Sequence, residues 1–156
     1  MRLIIISGRS GSGKSTALHQ LEDEGFYCID NLPAGLLSSF VNQALESGTL
    51  EYQQVAVCID ARNAWKDLHQ FPQLIAELSA QVQLDILYLD ADANSLIKRF
   101  SETRRRHPLS DTETPLGEAI NRELTLLRPI AELASLSINS SEMTIYELRN
   151  LIRQRF

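Results

Sequence analysis

Eight consecutive residues, Gly8-Arg9-Ser10-Gly11-Ser12-Gly13-Lys14-Ser15, have the types and spacing to hold a polyphosphate. They fill every fixed position of G-x-x-x-x-G-K-[ST], between the apolar run Leu3-Ile4-Ile5-Ile6 and an amphipathic segment that begins near Thr16. Glycine lets a backbone wrap a phosphate with its N–H groups turned inward, and a helix starting near Lys14 adds the positive end of its dipole. In such a loop Lys14 reaches the β- and γ-phosphates, and the Ser15 hydroxyl ligates Mg2+. The expected ligand is a nucleoside triphosphate.

Acids at strand ends are the next candidates. Val55-Ala56-Val57-Cys58-Ile59-Asp60 is an apolar strand closed by a carboxylate, a pattern in which the Asp holds Mg2+ directly or through water. Asp90 closes Ile86-Leu87-Tyr88-Leu89 in the same way and competes for that role; an ordinary turn at either strand end is the alternative. Arg62 and Asn63 follow Asp60 on the same rim, as a phosphate ligand and a base or ribose ligand, or as a capped turn. Asp30 ends Phe26-Tyr27-Cys28-Ile29-Asp30, where it either binds or deprotonates an acceptor hydroxyl or forms an Asx turn before Pro33. Arg104-Arg105-Arg106-His107-Pro108, with Lys98 and Arg99 upstream, is the only dense positive stretch. It suits a lid whose arginines close over phosphate, or a solvated basic face. Asn139-Ser140-Ser141 is a further rim candidate or a simple cap; His19, His69 and Trp65 read as surface, surface and packing residues.

Positioning these groups requires alternating strands and helices. Strand candidates are 3–7, 26–30, 55–60, 84–90 and 136–139, all near-continuous apolar runs suited to a parallel sheet covered on both faces. Between them lie helical patterns. Leu36, Leu37, Phe40, Val41, Ala44 and Leu45 form one face, with Gly48 placed to stop the helix. Pro72 fits the first turn of a helix with Phe71, Leu74, Ile75 and Leu78. Thr114-Pro115 reads as cap plus first residue of a helix with Leu116, Ile120, Leu124 and Leu127 inward, ended or kinked by Pro129. Thr144 and Glu147 form a capping box opening the last helix. The expected fold is α/β: a three-layer P-loop NTPase fold on a five-stranded parallel sheet, nucleoside-monophosphate-kinase-like, with residues 1–156 as one domain.

The 156 residues carry 15 Lys+Arg against 20 Asp+Glu, a net charge of -5, which makes a poor general binder of nucleic acid. No apolar run reaches membrane-spanning length, and the loop follows the first residues too soon for a signal segment. Cys28 and Cys58 read as buried free thiols without metal-type spacing, and the cytoplasm is the simplest compartment.

Taken together, residues 8–15, Gly25-Phe26-Tyr27-Cys28-Ile29-Asp30-Asn31-Leu32-Pro33, Asp60-Ala61-Arg62-Asn63, Leu89-Asp90-Ala91-Asp92, Thr103-Arg104-Arg105-Arg106-His107-Pro108-Leu109 and Ser140-Ser141-Glu142-Met143 resemble the RNase adapter protein RapZ family over essentially the whole chain. The resemblance implies a module that binds ATP or GTP with Mg2+ and hydrolyses it weakly. It also implies an adapter that forms homo-oligomers and brings a small regulatory RNA to a ribonuclease through a C-terminal RNA-binding domain. This sequence stops at Leu151-Ile152-Arg153-Gln154-Arg155-Phe156 and so reads as the N-terminal domain alone. The implied site comprises residues 8–15, Asp60, Ala61, Arg62, Asn63 and Arg104, with Ser15 and Asp60 on the metal and Lys14 and Asp30 as the catalytic candidates. A rival reading is a small-molecule kinase that transfers the γ-phosphoryl group of ATP.

Overall fold

The computed structural model describes residues 1–62 and 68–156; Asn63 and Trp65 lie outside the described residues. Five strands, β1 (Arg2–Gly8), β2 (Tyr27–Ile29), β3 (Gln54–Cys58), β4 (Gln83–Asp90) and β5 (Leu136–Asn139), form one sheet in the order β2-β3-β1-β4-β5. Every pairing is parallel. The α-helices among the described residues are α1 (Lys14–Asp23), α2 (Leu37–Ser47), α3 (Phe71–Ser79), α4 (Ala93–Thr103), α5 (Leu116–Leu126), α6 (Arg128–Ala131) and α7 (Ile145–Arg155).

The sheet's alternation sorts its side chains into two cores. Leu3 and Ile5 of β1, with Val55 and Val57 of β3, meet Leu37 and Val41 of α2, Phe71 and Ile75 of α3 and Ile130 of α6. Ile4, Ile6, Ala56, Cys58, Leu87 and Leu89 face the other way, onto Ala17, Leu18 and Leu21 of α1 and Leu148 and Ile152 of α7. Burial on both faces explains why the strands read as continuous apolar runs instead of alternating ones. A smaller cluster of Ala91, Leu96, Phe100 and Ile120 joins α4 to α5.

The expected elements are present with adjusted ends. Gly48 stops α2 in the left-handed conformation, and Pro72 lies in the first turn of α3. Thr144 Oγ1 accepts the Glu147 N–H at 3.1 Å at the start of α7. β2 is shorter than read, because Asp30 and Asn31 already turn: Asn31 has φ 52°. Pro115 is the N-cap of α5 and not its first residue, so the helix begins at Leu116. Within α5 the inward face also differs from the sequence reading: Leu124 is 38% exposed, whereas Glu123 is fully buried.

Parallel strands gather their ligand-binding ends on one side, and a strand order that diverges from β1 toward β3 and β4 opens a crevice there. The loop at residues 8–15, the residues after β3 and the residues after β4 all emerge at that edge.

Candidate phosphate-binding site

The loop after β1 is shaped by three glycines at positive φ: Gly8 (146°), Gly11 (86°) and Gly13 (111°). Four of its carbonyls accept side-chain donors. Lys14 curls back so that its ammonium donates to Gly8 O at 2.9 Å and Arg9 O at 3.2 Å. The guanidinium of Arg99, from α4, donates to Gly11 O at 2.9 Å, and Ser140 Oγ donates to Ser12 O at 2.5 Å. Arg99 also donates to Ser140 O, so the tip of the loop is joined to the residue after β5.

The amide side is arranged differently. Gly13 caps α1 without any side-chain hydrogen bond. The first N–H groups of a helix have no partner within it, so those of α1 point out of its start, where the dipole is positive. Carbonyls tied down on the loop and amides left at the helix start make an anion site. Lys14 fits it, since among the described residues its ammonium bonds only to carbonyls and joins no ion pair. A phosphate oxygen offers a stronger, charge-assisted partner than either carbonyl.

The two strand-end acids have different partners. Asp90 is engaged by Arg9: Nε donates to Asp90 Oδ1 at 2.7 Å, and the same guanidinium donates to Ala91 O at 2.8 Å. Arg9 is nearly buried, so its side chain braces the loop against β4. Asp60 is almost fully buried and is bonded by Arg62 through Nε at 3.0–3.1 Å, through the guanidinium nitrogen at 2.6 Å and through the Arg62 N–H at 2.9 Å. Burial by itself would raise the Asp60 pKa. The donors from Arg62 and the charge of Lys14 outweigh that and hold the carboxyl below its usual range. Lys14 and Asp60 therefore share one electrostatic neighbourhood. Asp30 belongs to it as well, because its charge helps raise Arg62, although the hydrogen bond and charge of Asp60 act more strongly. Asp30 is exposed, in a turn where Leu32 N–H donates to Cys58 O at 3.1 Å.

Mg2+ is the metal implied by such a loop. Ser15 is exposed on the first turn of α1, and Asp60 is ionised beside Lys14; both are hard oxygen donors of the kind Mg2+ takes alongside phosphate and water. Among the described residues, no group of three or more His, Cys, Asp or Glu side chains is assembled to hold a metal. Two protein ligands with phosphate and water completing the shell is the arrangement these residues fit.

Arg104 closes α4 in the left-handed conformation, and Arg104, Arg105 and Arg106 are all exposed; Arg106 Nε donates to Ser110 O at 3.1 Å. Asn139 and Ser141 bond to each other and to Asp92, forming a self-contained cap. Burial pushes the Cys28 thiol up to about 11, with help from Glu22, and Cys58 up to about 12, so neither is a ready nucleophile. His19 and His69 are exposed, as read from the sequence. The described residues contain no helix long and apolar enough to cross a membrane.

The sequence reading did not foresee two of the site's links. Arg99 read only as part of the basic stretch upstream of Arg104, yet it ties the loop to the residue after β5. Glu123 was legible only as a charge on the apolar side of a helix, between Ile120 and Leu127.

Comparison with known proteins agrees with this geometry. A sugar kinase from a Janibacter species superposes with a TM-score of 0.62 at 17% identity, over 99% of this chain and 91% of that one. Shikimate kinase from Bacteroides thetaiotaomicron does so with a TM-score of 0.61 at 14% identity, over 98% and 95%. At such identities the likeness is one of fold, which is that of P-loop kinases. A protein of Hahella chejuensis named nucleotide-binding protein is 56% identical over 156 residues, 99% of this chain and 54% of its own length. The chain thus spans about half the length of the curated relatives it matches. The model of the RapZ-like N-terminal domain matches residues 1–156. The chain belongs to the family of RapZ-like N-terminal domains.

Proposed function

We propose that this chain is the nucleotide-binding module of an RNase adapter protein. It holds ATP or GTP with Mg2+ on residues 8–15, with Asp60, Ala61 and Arg62 on the facing rim, joined by Asn63 and by Arg104 from the arginine turn. Hydrolysis is weak at most. A small regulatory RNA and a ribonuclease are engaged by the part of the protein beyond these residues, in a cytoplasmic homo-oligomer. The observation that carries the reading is the loop itself: carbonyls of Gly8, Arg9, Gly11 and Ser12 occupied, and the start of α1 left uncapped beside Lys14. A net charge of -5 supports placing the RNA contact elsewhere.

Calorimetric titration with ATP and with GTP, each with and without Mg2+, tests this reading. In Asp60→Asn the gain in affinity that Mg2+ confers is expected to fall about tenfold. An unchanged Mg2+ dependence would remove Asp60 from the metal site.

Asp30 favours a second reading, a small-molecule kinase, because it is exposed at the crevice within electrostatic reach of Arg62. Such a kinase has an acceptor that accelerates ADP release from ATP, and in Asp30→Asn that acceleration drops at least about a hundredfold. A metabolite screen in which no acceptor changes ADP release rejects it.

A further inference from the structure

Glu123 is 0% exposed, on the face of α5 that also carries Ile120 and Leu127. A carboxylate there costs more than the apolar side chain that would pack in its place, unless its oxygens are fully used. They are. Glu123 Oε1 accepts the Ser10 N–H at 2.7 Å, and Oε2 accepts the Ser10 hydroxyl at 2.7 Å. His107 Nε2 lies 3.0 Å from Oε1. The backbone N–H of Leu109 donates to His107 Nδ1 at 3.0 Å, so Nδ1 is an acceptor and the ring proton is on Nε2, aimed at Glu123. His107 is 1% exposed and packs its ring against Phe100 in a tilted arrangement, centroids 5.2 Å apart and planes at 47°.

Ser10 is the third residue of the phosphate loop. Arg99 and Ser140 hold the loop's carbonyls on one flank, and Glu123 holds an amide and a hydroxyl on another. We propose that Glu123 is a positioning residue that sets the phosphate loop in its binding shape through Ser10, and that His107 orients Glu123. This rests on the reading of the loop as a nucleotide site. His107 belongs to the same turn as the exposed Arg104, Arg105 and Arg106, so that turn is joined to the loop by a buried link through Glu123.

The test uses the whole chain, with Mg2+-ATP and inorganic pyrophosphate as probes; pyrophosphate isolates the loop from any base contact. Glu123→Gln keeps the shape but loses an acceptor, and its affinity for both probes is expected to fall about tenfold. His107→Ala is expected to weaken binding similarly, and His107→Gln to restore it, since the Gln amide donates to the same oxygen. In the wild-type amide spectrum the Ser10 proton is expected far downfield, as for an N–H held by a carboxylate. That signal stands even if Glu123→Gln fails to fold, and a Ser10 proton at an ordinary solvent-exposed position overturns the proposal. So does Glu123→Gln binding both probes as tightly as wild type, or His107→Gln binding no better than His107→Ala. If the wild type itself binds neither probe, the nucleotide reading fails and the proposal with it; if the wild type binds and Glu123→Gln matches it, only the positioning role fails.

Discussion

Lys14→Ala is expected to lower the affinity for ATP and for GTP by about a hundredfold, the size of effect that follows from losing a charged hydrogen-bond donor at a phosphate. In the structure this ammonium bonds to Gly8 O and Arg9 O. Gly8 and Arg9 are buried but Lys14 is not, and both bonds are only partly buried, so water can replace the lost donor and folding stability should change by less than about 1 kcal/mol. The separation of the two effects is what makes the variant informative. Calorimetry reads the binding loss, and a urea midpoint close to that of wild type shows that the loop's support is intact. Lys14 contributes only part of what holds the Asp60 carboxyl low, and the Arg62 donors remain, so Asp60 stays ionised in the variant and the loss is confined to the phosphate. Binding of either nucleotide at wild-type strength would mean that the helix start and Arg62 suffice and that Lys14 has no phosphate to hold.

The sheet and the loop were legible because each rests on a local signal. Apolar runs in β1, β3 and β4 and a motif with four fixed positions survive without knowledge of what packs beside them. The partner of Asp90 was not local. β1 and β4 pair with Gly8 opposite Leu89, which brings Arg9, one residue on, beside Asp90. That pairing depends on strand order, which no single strand encodes. Glu123 was missed for a geometric reason. Taking Leu116, Ile120 and Leu124 as one face adds the drift of each four-residue step, so that Leu124 stands about 80° from Leu116 around the helix, while Glu123 lies within about 20° of it. The structure follows the angle: Leu124 points out and Glu123 in. Hydrophobicity favoured the leucine; the hydrogen bonds waiting at Ser10 and His107 decided for the glutamate. The role of Arg99 was likewise hidden, because its partners Gly11 and Ser140 are far away in sequence.

Gly8→Ala should damage the protein at two levels at once. Gly8 has φ 146°, which an L side chain rarely adopts. A Cβ there would stand 1.8 Å from Leu89 O and 2.8 Å from Leu89 C. Both are backbone atoms of the paired central strand β4, so neither can swing aside as a flexible side chain would. Relief requires β1 to part from β4 at its carboxyl end or the loop to leave its course. The expected cost is about 4 kcal/mol, at the upper end of single substitutions, read as a lower urea midpoint at constant slope. The fraction that stays folded should also bind ATP poorly, because the displaced residue is the one whose carbonyl Lys14 holds. Gly25→Ala separates strain from collision: Gly25 also has positive φ, 92°, but nothing lies within 4 Å of its added Cβ. That variant should lose only about 1 kcal/mol and keep its nucleotide affinity. Equal stability of the two variants would show that the β1–β4 contact yields easily, and that the close approach at Gly8 is not what shapes the loop.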